Sequence, residues 1–209
     1  MENYLPILFA AVIGFTHAFE VDHLLAVSSI VTRRDSVMQS VKDGIFWGLG
    51  HSSTILAIGV LMLIARVAIE DKTFGWFEAA VGLMLVVLGI HRLWKSWKQT
   101  RAHRHAHAHN VLHGHRLAYS VGLVHGLAGS GALILLVLQE MKSSSEGLAY
   151  LLVFGVGSIA GMMLASGVFS LPFSQKITGN LHLQRGLTVL SSLLCIGFGL
   201  KVIWENLAA

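Results

Sequence analysis

Six long apolar stretches, near residues 6–30, 44–66, 76–96, 117–138, 148–170 and 187–205, set the terms for this chain. Each is close to the ~20 residues a helix needs to cross ~30 Å of hydrocarbon. A backbone in lipid must satisfy its own polar groups, so only helices or a closed barrel can span. The short alternating segments of a barrel are absent. The expected fold is therefore an all-α integral membrane protein with six transmembrane helices. Composition agrees: 12% of the residues are charged and 54% hydrophobic, with a mean hydropathy of +0.67, against roughly one-quarter charged in soluble domains.

The distribution of positive charge predicts orientation. The segments after spans 1, 3 and 5 hold Arg33, Arg34, Lys42, Arg92, Lys95, Lys98, Arg101, Arg104, Arg116, Lys176 and Arg185. The opposite side holds only Arg66, Lys72, Lys142 and Lys201. Basic loops stay cytoplasmic, which puts both termini outside. A sequence pI near 9.5 thus reads as topology, and nucleic-acid binding is not expected.

The two halves of the chain can be superimposed. Gly14 to Ala18 (GFTHA) matches Gly122 to Gly126 (GLVHG), Trp47 to Gly50 (WGLG) matches Phe154 to Gly157 (FGVG), and Gly89 to Trp94 (GIHRLW) matches Gly199 to Trp204 (GLKVIW). Three spans per half make the repeat inverted, an architecture of secondary transporters whose sites lie near the midplane between halves. The expected organisation is a first three-helix repeat over 1–100, a histidine-rich cytoplasmic loop over 101–116 and a second repeat over 117–209. His17 and His125 then become counterparts.

His17 to His23 reads HAFEVDH inside the first apolar stretch. An acid at the centre of a membrane helix costs about 2.5 to 3.5 kcal/mol on insertion scales, whereas a hydrogen bond between membrane helices returns only about 0.6 kcal/mol. Packing glue does not offset the cost of His17, Glu20, Asp22, His23, His51 and His125 together. On a straight helix Glu20 and His23 lie about 60° and 120° around from His17, with Asp22 about 140° the other way. Either the helix breaks here or Asp22 orients a histidine from behind. Imidazole and carboxylate without thiolate suit a divalent late transition metal, and His51 on the second span and His125 on the fourth are the candidates to complete its shell.

These motifs carry a resemblance. HAFEVDH fits the HX4DH signature of the nickel/cobalt transporter superfamily, with His17, Asp22 and His23 at the signature positions. Leu49 to Ser53 (LGHSS) resembles that family's second motif. Gly122 to Leu133 (GLVHGLAGSGAL) resembles the matching region of the short urease-accessory UreH-like membrane proteins. An LGFDTATE-like motif and an extra leading helix of the longer transporters are missing, so the short branch is the nearer match. The resemblance implies uptake of nickel, or cobalt, across a bacterial cytoplasmic membrane, with the ion as cargo and no cofactor. It also implies a metallochaperone of urease or hydrogenase maturation as a cytoplasmic partner. Export by the same fold is the alternative.

Between spans 3 and 4, Arg101 to Arg116 contains His103, His105, His107, His109, His113 and His115. A tract so rich in histidine and poor in apolar residues is expected to be a flexible auxiliary metal-capture loop. Other chemistries have weaker claims. A lone Cys195 cannot run a thiol relay within this chain, and neither HExxH nor GxxxxGK[ST] is present, so no enzymatic activity is expected.

Overall fold

The structure, a computed structural model, describes residues 5–31, 36–65, 71–99, 111–128, 143–173 and 181–208. Among these are seven α-helices: α1 (Leu5–His17), α2 (Val21–Val31), α3 (Val37–Ala65), α4 (Asp71–Gln99), α5 (Val111–Ala128), α6 (Ser144–Ser170) and α7 (Leu181–Leu207), with a 3₁₀ turn (Leu171–Phe173) after α6. The chain is all-helical there. Four helices, α3, α4, α6 and α7, are each long and apolar enough to cross a membrane, and α1 with α2 forms a bent pair that passes the same test together. The stretch expected at 117–138 is helical as far as Ala128; its remainder lies outside the described residues.

Local chemistry explains where helices start and stop. Ser143 caps α6, its Oγ accepting from the Glu146 N–H, the Ser-x-x-Glu arrangement that marks a helix start. At its other end Leu171 keeps right-handed helical backbone and its N–H bonds to the Val168 carbonyl, so the helix tightens into the 3₁₀ turn Leu171–Phe173, where Pro172 has no N–H to continue the ladder. The first apolar stretch is not one helix. Thr16 Oγ1 donates back to the carbonyls of Val12 and Ile13, at 3.0 Å each, a habit that bends helices. The backbone then tightens into two i→i+3 bonds, Phe19 N–H to Thr16 O and Glu20 N–H to His17 O, before α2 starts with Leu24 N–H to Glu20 O. The axes of α1 and α2 differ by 59°. The break leaves His17 in the last turn of α1 and Asp22 in the first turn of α2, so a base and an acid each sit at the helix end whose dipole favours them.

Helix α3 packs between α5 and α6, α1 lies on α6, and α4 pairs with α7. Two seams depend on glycine. A Cβ at Gly14 would collide with the Phe154 carbonyl and one at Gly157 with that of Ala11, across α1 and α6. Across α3 and α5, a Cβ at Gly122 would collide with the Trp47 carbonyl and one at Gly50 with that of Tyr119. Backbones this close are how helices associate in lipid, where no hydrophobic force draws them together. The outer surface carries the complementary signature. Trp76, Trp94, Trp97 and Trp204 are exposed near the ends of α4 and α7, as residues of a membrane-interface belt are.

Several charges counted with the cytoplasmic side lie in helices. Lys42 is in α3, Arg92, Lys95 and Lys98 are in α4 and Arg116 is in α5. Arg92 is buried, its guanidinium 3.4 Å from Ser28 Oγ and 5.3 Å from the centre of the Phe173 ring. Its polar contact and ring contact hold it inside the bundle. The span expected to start at 44 starts at Val37, and so takes in the buried Asp43.

Candidate metal site

Four imidazoles and one carboxylate meet where the first apolar stretch breaks. His17 comes from the end of α1, Asp22 and His23 from the start of α2, His51 from the middle of α3 and His125 from α5. A continuous helix could not aim His17, Asp22 and His23 at one place; the turn through 18–20 does. His23, His51 and His125 have no solvent exposure and His17 has little. Their ring centres are 4.5 Å apart for His17 and His23, 5.2 Å for His23 and His51, 5.3 Å for His17 and His51, and 4.1 Å for His23 and His125. Trp47 and Phe154 wall the cluster, at 5.6 Å from His23 and 5.7 Å from His17.

The two acids have different parts. Asp22 reaches both His23 Nδ1, at 3.1 Å from Oδ1, and His125 Nε2, at 2.8 Å from Oδ2. Glu20 accepts from His17 Nδ1 at 2.8 Å, but its side chain is 58% exposed. It stands behind His17 rather than among the other donors. These contacts turn His17 Nε2 and His23 Nε2 inward, and neither has a hydrogen-bond partner. Both nitrogens of His51 and His125 Nδ1 are likewise buried without one. Buried polar atoms are normally satisfied, so five orphaned imidazole nitrogens in one place need an explanation.

Two sets of three residues have the spacing of metal ligands. One is His17, His23 and His51, and the other Asp22, His23 and His125; within each, the donor atoms lie within 4.8 Å of one another. Ions bound by imidazole and carboxylate are typically late divalent transition metals. A carboxylate behind a ligating histidine fixes its tautomer and raises its basicity, which is the position Glu20 holds to His17.

The histidine tract divides. His103, His105, His107 and His109 lie outside the described residues, and His113 falls within α5. His115, expected in the loop, is instead on α5, where its Nδ1 lies 2.7 Å from Oδ1 of the buried Asp43 on α3 and its ring stacks on Phe46 at 4.8 Å. That pairing, which the histidine-rich composition hides, holds the start of α5 against α3.

The chain is 36% identical over 174 residues to the urease accessory protein UreH of Bacillus sp. (strain TB-90), an alignment covering 78% of this chain and 75% of the relative. It is also 25% identical over 194 residues to the Arabidopsis thaliana chloroplast protein FOR GROWTH AND FERTILITY 2, and 26% identical over 200 residues to FOR GROWTH AND FERTILITY 1. Those alignments cover 87% of this chain and 51% and 54% of the plant proteins, so the chain spans about half their length. No protein-family model and no solved structure matches.

Proposed function

The chain belongs to the family of the urease accessory protein UreH, and on that premise we propose that it is a secondary transporter moving a divalent transition metal, nickel before cobalt, into a bacterial cell across the cytoplasmic membrane. The observation that carries this reading is the set of orphaned, buried imidazole nitrogens facing one another beside Asp22 at a helix break. Irregular backbone at bilayer depth is tolerated only where it is buried in protein or lines a cavity. Ionisable groups there mark ion pathways. Neutral imidazoles with one carboxylate and no thiolate are suited to a borderline divalent cargo such as nickel or cobalt.

The inverted-repeat architecture belongs to the same proposal. Support comes from the seams, each of which joins one half to the other: Gly14 against Phe154 has its equivalent in Gly122 against Trp47, and Gly157 against Ala11 in Gly50 against Tyr119. Both pairs follow the sequence correspondence of about 108 residues. His17 and His125 are equivalents under it, so the ion lies between the halves.

Inward flow needs no ATP. A divalent cation entering across 100 mV, interior negative, gains about 4.6 kcal/mol, twice the roughly 2.3 kcal/mol per charge. In this reading both termini are outside and the histidine tract faces the cytoplasm, where it receives the ion and passes it to a metallochaperone of urease or hydrogenase maturation.

The test is uptake of radiolabelled nickel into oriented vesicles energised with an interior-negative potential. Wild type should accumulate the ion, and both His17→Ala and Asp22→Asn should lose accumulation at equal protein abundance. Undiminished uptake by both variants would remove the helix break from the mechanism, and efflux in place of uptake would reverse the direction.

A further inference from the structure

The donors at the centre fall into two groups with ligand spacing, His23 belonging to both: three imidazoles from His17, His23 and His51, and the set Asp22, His23 and His125, the donor atoms within each lying within 4.8 Å of one another. His51 and His125, which belong to different shells, have ring centres 6.4 Å apart, wider than either ring's 5.2 Å or 4.1 Å separation from His23. We propose, resting on the transport reading above, that the centre holds one divalent cation in either of two mutually exclusive positions, and that the cation passes between them by exchanging His17 and His51 for Asp22 and His125 around a retained His23.

The orphaned atoms support both positions. Glu20 occupies His17 Nδ1 and Asp22 occupies His23 Nδ1, leaving Nε2 of each turned toward His51, whose two nitrogens are unengaged. In the second position, the Asp22 carboxylate faces His125 directly. A cation arriving there takes an oxygen that now accepts from His125, and the ring must turn to offer a lone pair. His125 Nδ1, buried and without a partner, is available for that.

The positions differ in charge. Three neutral imidazoles leave a divalent ion with its full charge, while the second shell supplies one carboxylate. Passage through a membrane protein requires binding favourable enough to enter yet weak or divided enough to leave. Splitting the donors into two overlapping shells meets both demands, since neither position engages all five groups. His17, His23 and His51 all belong to the first half and His125 to the second, so the exchange moves the ion from donors of one half alone to a set that both halves share.

The test uses cobalt(II) as the probe with the purified full-length chain in nanodiscs. His103, His105, His107, His109 and His113 are changed to alanine so that only the centre is counted. Metal bound per chain and the ligand-field spectrum of Co²⁺ are read, with nickel uptake measured in parallel. The parent should bind one Co²⁺. His51→Ala and His125→Ala should each still bind one at saturation, with spectra that differ from each other, and each should lose uptake. His23→Ala should bind none, with His23→Gln and an unchanged elution profile separating loss of binding from loss of fold. Two ions bound at once, or complete loss of binding in either His51→Ala or His125→Ala with the fold intact, would overturn the proposal. A parent that transports nickel through a single undivided site would refute the exchange while leaving the transport reading standing. A parent that neither binds nor transports the ions would refute both.

Discussion

Asp22 Oδ2 lies 2.8 Å from His125 Nε2, although 103 residues separate them in the sequence. This contact joins the start of α2 to α5, and the same carboxylate holds His23 with its other oxygen. One side chain therefore aims two of the four buried rings.

Shared dependence on that carboxylate makes the effects of mutation non-additive. In a double-mutant cycle of Asp22→Asn and His125→Gln, read by nickel affinity, the two single losses should sum to more than the double variant loses. A coupling of about 0.5 to 3 kcal/mol is expected for residues in direct contact. Simple additivity would mean the two do not act on the same ion.

Glu20 separates orientation from charge. Glu20→Gln keeps an oxygen able to accept from His17 Nδ1, so nickel affinity should stay within a few-fold of wild type. Glu20→Ala removes the acceptor and should weaken binding by about 10- to 100-fold, the usual cost of losing a group behind a metal-ligating histidine. Isothermal titration with Ni²⁺ distinguishes the two; equal losses in both variants would make Glu20 a charge partner of the ion instead.

At the seams, side-chain volume should decide stability. Gly122→Val and Gly14→Val drive carbons into the carbonyls of Trp47 and Phe154, and overpacking of this kind costs about 1 to 3 kcal/mol or more. Gly186→Ala and Gly197→Ala meet nothing within 4 Å and should leave the thermal midpoint of the detergent-solubilised protein unchanged or slightly raised, as alanine favours helix. A seam variant that melts with wild type would contradict the close approach.

Asp43 is buried, and His115 is its partner on α5. Replacing His115 with leucine removes the imidazole that the carboxylate hydrogen-bonds, at a cost of about 1 to 3 kcal/mol, whereas Asp43→Asn in the wild-type background retains a hydrogen-bonding side chain and should cost less. Chemical denaturation in mild detergent would rank the two.

The histidine tract is separable from the centre if the deletion respects α5. Removing 101–109 stops short of Val111, where α5 begins, and should raise the half-saturating nickel concentration more than it lowers the maximal uptake rate. A deletion carried through His115 would also remove the contact with Asp43 and confuse capture with folding. Complete loss of uptake on the shorter deletion would move the essential site into the tract.

The helical, membrane-spanning character of the chain is legible in its apolar stretches, because hydrocarbon thickness fixes their length. The polar cluster is legible too, since His17, Asp22, His23, His51 and His125 stand out against residues suited to lipid. The choice between a broken helix and an orienting Asp22 was not legible, and both occur: the turn at 18–20 and the contact from Asp22 to two rings. Wheel geometry gives angles along a helix but not which neighbour lies opposite. Arg92 and Asp43 show the same gap. Near the end of a span a charge reads as a loop residue, and only the partners supplied by other helices, Ser28 and His115, explain its burial.

The glycine seams restrict how this molecule can change shape. With carbonyls of one helix lodged where a neighbour's methyl would be, α1 and α6, like α3 and α5, have no slack for sliding past each other. Each couple behaves as a plank. Any motion that exposes the centre must pivot elsewhere, and the elbow between His17 and Val21, set among the four buried rings, is where such a swing would shift the imidazoles relative to one another.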